Sequence, residues 1–254
     1  MSNTGKFLIF DQNFMLNSIT LDGILAGEEN HKPGYFPYSV LQNVPYIEYP
    51  GLTKNENSAV FSLARECLAR SKRLYHYNEV SATYRSDMSF DDEKAFVFTH
   101  GNEVFTSYLN NKEVAEFLGQ SSELIFITMH NHPNNSSLSL EDLAIFCSQV
   151  NIKYLGAVGH DGRLSFAIRQ GQENYSDFIV KGIMKYAPAS VNILKDSDEN
   201  IFSHLKTEEK SLIKSFVVEK LKDAGAIVLS NVGIGDIADL NADFERMGER
   251  DDYE

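Results

Sequence analysis

The feature that most constrains this chain is an apolar strand that runs straight into two histidines and a proline. Leu124-Ile125-Phe126-Ile127-Thr128-Met129 is an unbroken run of β-formers of strand length, which predicts a buried strand ending at His130-Asn131-His132-Pro133. Residues two apart on a strand share a face, so His130 and His132 can aim their imidazoles at one point. Pro133 lacks an N–H and has a fixed φ, which ends regular pairing. Ser139 then precedes Leu140, Leu143, Ala144 and Cys147, whose helical spacing puts Asp142 in a first helical turn facing back toward the strand end. Two neutral imidazoles, one carboxylate and a fourth position left for water are the composition of a catalytic zinc site. Ser139 with Asp142 three residues on is also an N-cap signature, which needs no catalysis to explain it.

His130-x-His132-Pro133 followed by Ser139-x-x-Asp142 resembles the signature of the JAMM (MPN-plus, or JAB) zinc metallopeptidases. The wording His-Asn-His-Pro is similar to their RadC-like and phage- or toxin-associated bacterial branches. The resemblance covers roughly residues 80–170. It implies a cytidine-deaminase-like core in which His130, His132 and Asp142 hold Zn2+ and Ser139 assists the tetrahedral intermediate. It also implies a glutamate general acid/base at the edge of an upstream strand. The reaction implied is hydrolysis of a peptide or isopeptide bond at the flexible tail of a protein substrate, ubiquitin-like or other. The stretch between Pro133 and Ser139, residues 134–138, is one residue shorter than in most members, which bears on Ser139 more than on the zinc ligands.

For the glutamate, residues 92–99 place Glu93 just ahead of a predicted strand, with a hairpin partner at 104–108, and Glu93 is assigned by that likeness. Glu103, in the intervening turn, is the alternative. Either is otherwise a solvated carboxylate at a strand end. The same likeness also fits a RadC-like protein acting in DNA-related processes, or a non-proteolytic binding module that keeps the metal for structure. A structural zinc is normally closed by a fourth protein ligand. The candidate nearby is Cys147, which is expected to face the core.

The formal net charge of −13 counts against sequence-independent nucleic-acid binding, whose affinity comes from Lys and Arg neutralising phosphates. The two cysteines, Cys67 and Cys147, fall on the apolar stripes of predicted helices and read as buried thiols rather than a disulfide framework. No apolar run approaches the ~18 residues of a membrane span. Residues 6–10 are too short for a signal-peptide core and read as a strand, so the expected location is cytoplasmic, without a membrane partner.

The expected architecture is α/β (α+β), a mixed curved sheet flanked by helices. Three parts are expected: 1–75, an aromatic- and Pro-rich arm plus an amphipathic helix; 76–172, the metallopeptidase-like core; and 173–254, a helical region with an acidic tail. The arm is expected to wrap over its own core rather than grip an extended peptide. Helices are predicted at 57–72, at 112–118 with Gly119 as its stop, within 172–190, and at 208–224 with Thr207 as cap and Gly225 as stop. Residues 75–79 read as a solvated connection. Strands at 154–158 and 164–168 flank the turn His160-Asp161-Gly162, with His160 exposed and without a metal role. A further strand is predicted at 226–229, and the tail from Asp236 is expected to fray.

Overall fold

The computed structural model describes residues 36–73, 78–101, 111–192 and 201–251. The predicted strand at 6–10, the hairpin partner at 104–108 with Glu103, and the charged stretch at 195–200 lie outside the described residues.

Among the described residues the first α-helix, α1 (Lys54–Arg73), starts with a reciprocal cap. The Thr53 N–H donates to Glu56 Oε2 at 2.7 Å and the Glu56 N–H donates to Thr53 Oγ1 at 3.3 Å. Strands β1 (Val80–Arg85) and β2 (Phe96–His100) follow, then α2 (Lys112–Leu118), β3 (Phe126–His132) and α3 (Leu140–Ser148). Next come β4 (Ile152–Gly159) and β5 (Leu164–Ile168), joined by a turn in which Gly162 takes a φ of +89°. The chain continues through α4 (Ser176–Tyr186), α5 (Thr207–Asp223), β6 (Ile227–Val232) and α6 (Ile237–Asp251).

The strands form one mixed six-stranded sheet in the order β2-β1-β3-β4-β5-β6. Among the described residues only β3 and β4 pair in parallel, and α3 makes the crossover that a parallel pair requires. Strand alternation sends Tyr154, Val158, Phe166 and Ile168 to one face, and Leu155, Ala157 and Ala167 to the other. The first face packs under α1, through Val60, Leu63, Ala64, Cys67 and Leu68, and under the arm through Phe36, Leu41, Ile47 and Tyr49. The second is covered by α2, α3, α4 and α5. Cys67 and Cys147 are both buried free thiols, one in each layer.

Several elements differ from expectation. The residues from Asp236 do not fray through their first turns: α6 lays Leu240 and Phe244 into the first core, because these two sit one turn apart on a single face. The N-cap of α5 is Lys206, whose N–H is taken by the Glu209 carboxylate, and Thr207 is the first helical residue. The strand predicted at 226–229 is present as β6, so the 173–254 segment, expected to be a helical region, also joins the sheet. His160 is buried rather than exposed, under the ring of Phe36 at a centroid distance of 4.3 Å. Among the described residues no helix is long and apolar enough to cross a membrane.

Candidate metal centre

All seven residues of β3 are buried, and its last three carry the centre. His130 and His132 project from one face, and Asp142 reaches them from the first turn of α3. His130 Nε2 lies 2.9 Å from His132 Nε2 and 3.3 Å from Asp142 Oδ1, and His132 Nε2 lies 3.6 Å from Asp142 Oδ2. A tetrahedral ion with ligands at about 2.0–2.1 Å holds them about 3.3 Å apart, so these spacings fit a single metal ion.

The outer nitrogens fix which atoms face inward. His132 Nδ1 donates to the Ser136 carbonyl at 2.8 Å, and His130 is hydrogen-bonded to the Gly156 carbonyl. With both Nδ1 protons so committed, two Nε2 lone pairs and a carboxylate converge within 4.8 Å. A cluster of acceptors that dense needs a proton or a cation at its centre.

The protonation tendencies agree. Burial works against charge on His130, but the Asp142 carboxylate, its hydrogen bond and the more distant Glu79 carry the imidazole above its ordinary pKa. His132 is held below its ordinary value, by burial first and by the neighbouring His130 second. Burial disfavours the Asp142 carboxylate, yet His130, His132 and the Ser139 hydroxyl together hold its pKa well below the usual range.

Ser139 closes a capping box at the start of α3. Its Oγ accepts the Asp142 N–H at 3.0 Å, and Asp142 Oδ2 accepts both the Ser139 N–H and the Ser139 hydroxyl at 2.7 Å. These bonds aim the carboxylate and leave Oδ1 toward His130. The Ser139 hydroxyl is therefore an orienting group for Asp142, as the capping reading anticipates. From α5, Lys210 Nζ pairs with Glu141 at 2.7 Å and the half-buried Lys214 donates to Ser137 Oγ at 2.7 Å, near enough to feel the charge on Asp142.

Glu93 is not at this centre. It lies exposed in a one-turn 3-10 segment three residues before Phe96, which pairs with Tyr84; beyond it Arg85 pairs with Phe126, the start of β3. The histidines stand toward the other end of that strand, roughly 13 Å (His130) and 20 Å (His132) along it at about 3.3 Å per residue. The glutamate that the sheet does bring there is Glu79. Ser81 is directly opposite His130, and Glu79, two residues earlier and just ahead of β1, continues that register toward the His132 end of β3. Its charge acts on both imidazoles. Of the stretch expected to be a solvated connection, residues 75–77 lie outside the described residues, and its last residue, Glu79, is half-buried near the centre. Glu79 stands just ahead of a strand, as Glu93 does, and the β-formers at 80–84 were the available signal.

The arrangement can bind one divalent ion through two nitrogens and one oxygen, leave a position open, and hold a carboxylate beside it. Compared with known proteins, the chain matches no family model, no curated protein and no solved structure.

Proposed function

We propose that the protein is a zinc-dependent peptidase or isopeptidase of the JAMM type, acting on an amide bond in the flexible tail of a protein or peptide. The observation that carries this reading is the convergence of His130 Nε2, His132 Nε2 and an Asp142 oxygen within 4.8 Å, on the face where Glu79 also projects. A three-ligand set without a fourth protein donor among the described residues is the pattern of a catalytic rather than a structural zinc. The resemblance of the motif wording supports the same class, with the six-stranded mixed sheet as its core.

In this mechanism His130, His132 and Asp142 bind the ion, and their hydrogen bonds to Gly156, Ser136 and Ser139 keep them in register. Zinc held by these residues would supply Lewis-acid activation of water and of the scissile carbonyl. Glu79, rather than Glu93, takes a proton from the attacking water onto its carboxylate and returns it to the leaving amine. Ser139 acts through Asp142.

The test is metal content of the purified full chain by elemental analysis, set beside a His130→Ala, His132→Ala double variant. Cleavage of tail-bearing protein and peptide substrates follows. One zinc per chain, lost in the double variant, together with cleavage that needs Glu79 is the expected result. A wild type that takes up no metal after incubation with zinc overturns the reading. A wild type that holds zinc and cleaves no amide would shift it to a metal-stabilised binding module.

A further inference from the structure

Asn131 stands between the two ligand histidines but points away from them, because successive strand residues alternate faces. It is fully buried on the α1 side of the sheet. Its carboxamide oxygen accepts the Val80 N–H at 2.7 Å. Its nitrogen lies 3.3 Å from the Asn78 carbonyl, 3.2 Å from Ser71 Oγ and 3.0 Å from His160 Nε2. The Val80 N–H can only donate, so the orientation of the amide is unambiguous.

Asn78 and Val80 are the peptide neighbours of Glu79. The pairing of β1 with β3 ends at Ser81 and His130, so the next link between the two strands is this side chain. One planar group on the histidine strand therefore grips the main chain on both sides of the glutamate. Ser71 at the end of α1 backs it, its hydroxyl donating to the same Asn78 carbonyl at 2.9 Å, and His160 closes the network from the β4–β5 turn.

We propose that Asn131 is the positioning residue of the base: it clamps the 78–80 backbone so that Glu79 is held in fixed register with the two histidines. This rests on the reading of Glu79 as the proton acceptor. The chemistry explains the residue type. The site asks for an acceptor and a donor on one short side chain; aspartate lacks the donor, and glutamine is a methylene too long for a packed interior. A misplacement of about 1 Å at a reacting group can cost on the order of 100-fold in rate, so a clamp of this kind is worth having.

A double-mutant cycle on the full chain tests it, with Asn131→Ala, Glu79→Gln and the pair together. The readouts are kcat and KM, bound cobalt(II) per chain, and hydrogen exchange at the Val80 amide. Asn131→Ala is expected to lower kcat about 10–100-fold, with KM within about twofold and cobalt retained, while Val80 loses protection. In the Glu79→Gln background the same substitution should change kcat no further, because the group it positions is gone. Asn131→Asp keeps the acceptor for Val80 and should retain that protection with a smaller loss of kcat. It also stands in for the alanine variant should that one fail to fold. An equal fold-loss in both backgrounds, or loss of cobalt with Asn131→Ala alone, would overturn the clamp and make Asn131 a support of the ligand strand. A wild type that binds no cobalt overturns the peptidase reading, and the clamp's catalytic purpose with it.

Discussion

Glu79 and Glu93 carry the same carboxylate, and only their places in the sheet tell them apart. Glu79→Gln should lower kcat by about 10²–10⁴-fold, the usual worth of a positioned acid–base group, with zinc retained. Glu93→Gln, at the far end of β1 and β2, should leave kcat within about twofold; steady-state kinetics on the two purified variants decides between them, and the reverse pattern would restore Glu93. The histidines make a second prediction. His130, raised by Asp142 and Glu79 against the cost of burial, keeps its proton closer to neutrality than a free histidine does in the metal-free chain. Zinc must displace that proton, so affinity should weaken as pH falls through the histidine range, and binding near pH 7 should release protons. Calorimetry in two buffers of different ionisation enthalpy measures the release. An affinity flat across that range would put the metal elsewhere.

At the scale of elements, α3 is as much a part of the site as its side chains, because its capping box is also the support of Asp142. Ser139→Ala should cost about 1 kcal/mol through loss of the cap, a fall of about 2–4 °C in Tm for a chain of this size. It should also weaken zinc binding, while Asp142→Asn weakens it far more. Equal metal loss in the two variants would favour the capping reading, in which the integrity of the helix start, rather than a bond from the carboxylate to the ion, is what matters. This helix was legible in advance, since its apolar spacing and its cap are local. Strand β1 was not read, and the reason is physical: its Ser81 and Thr83 are buried by bonding Thr99 and Thr128 across the sheet, at 2.5 and 3.3 Å. Val80, Ala82 and Tyr84 do alternate with them, so a short period-2 pattern is present, but the bonds that bury its polar half come from strands distant in sequence. Glu79, at the head of that strand, went unread with it. His160 was misplaced for a related reason, as its burial comes from Phe36, Ser71 and Asn131, all remote in sequence.

Across the whole molecule, α1 is pinned to the sheet by an ion pair between Glu56 and Lys153 of β4, at 2.9 Å, with Glu56 only 6% exposed. Burial alone would raise the Glu56 pKa, but the Thr53 N–H, the Lys153 ammonium and Ser86 bring it below the ordinary value. A carboxyl depressed in the folded state stabilises above its unfolded pKa, and that contribution disappears as pH falls through the folded value. Melting followed by circular dichroism should therefore show wild-type stability declining into the acid range. Lys153→Met should be less stable at pH 7 by about 2–3 kcal/mol and less sensitive to that decline; an unchanged acid profile would remove the pair from the account. The local periods of strand and helix, together with one proline and one cap, were enough to place His130, His132 and Asp142 toward a common point, because each of those placements depends on neighbours within a turn or a strand length. Which glutamate joins them, what holds it there through Asn131, and which helix sends Lys214 to the rim follow from the order of strands about β3 and the packing of α5 on α3. Those are pairings between distant segments, settled by burial of the whole core, and no local pattern in the chain encodes them.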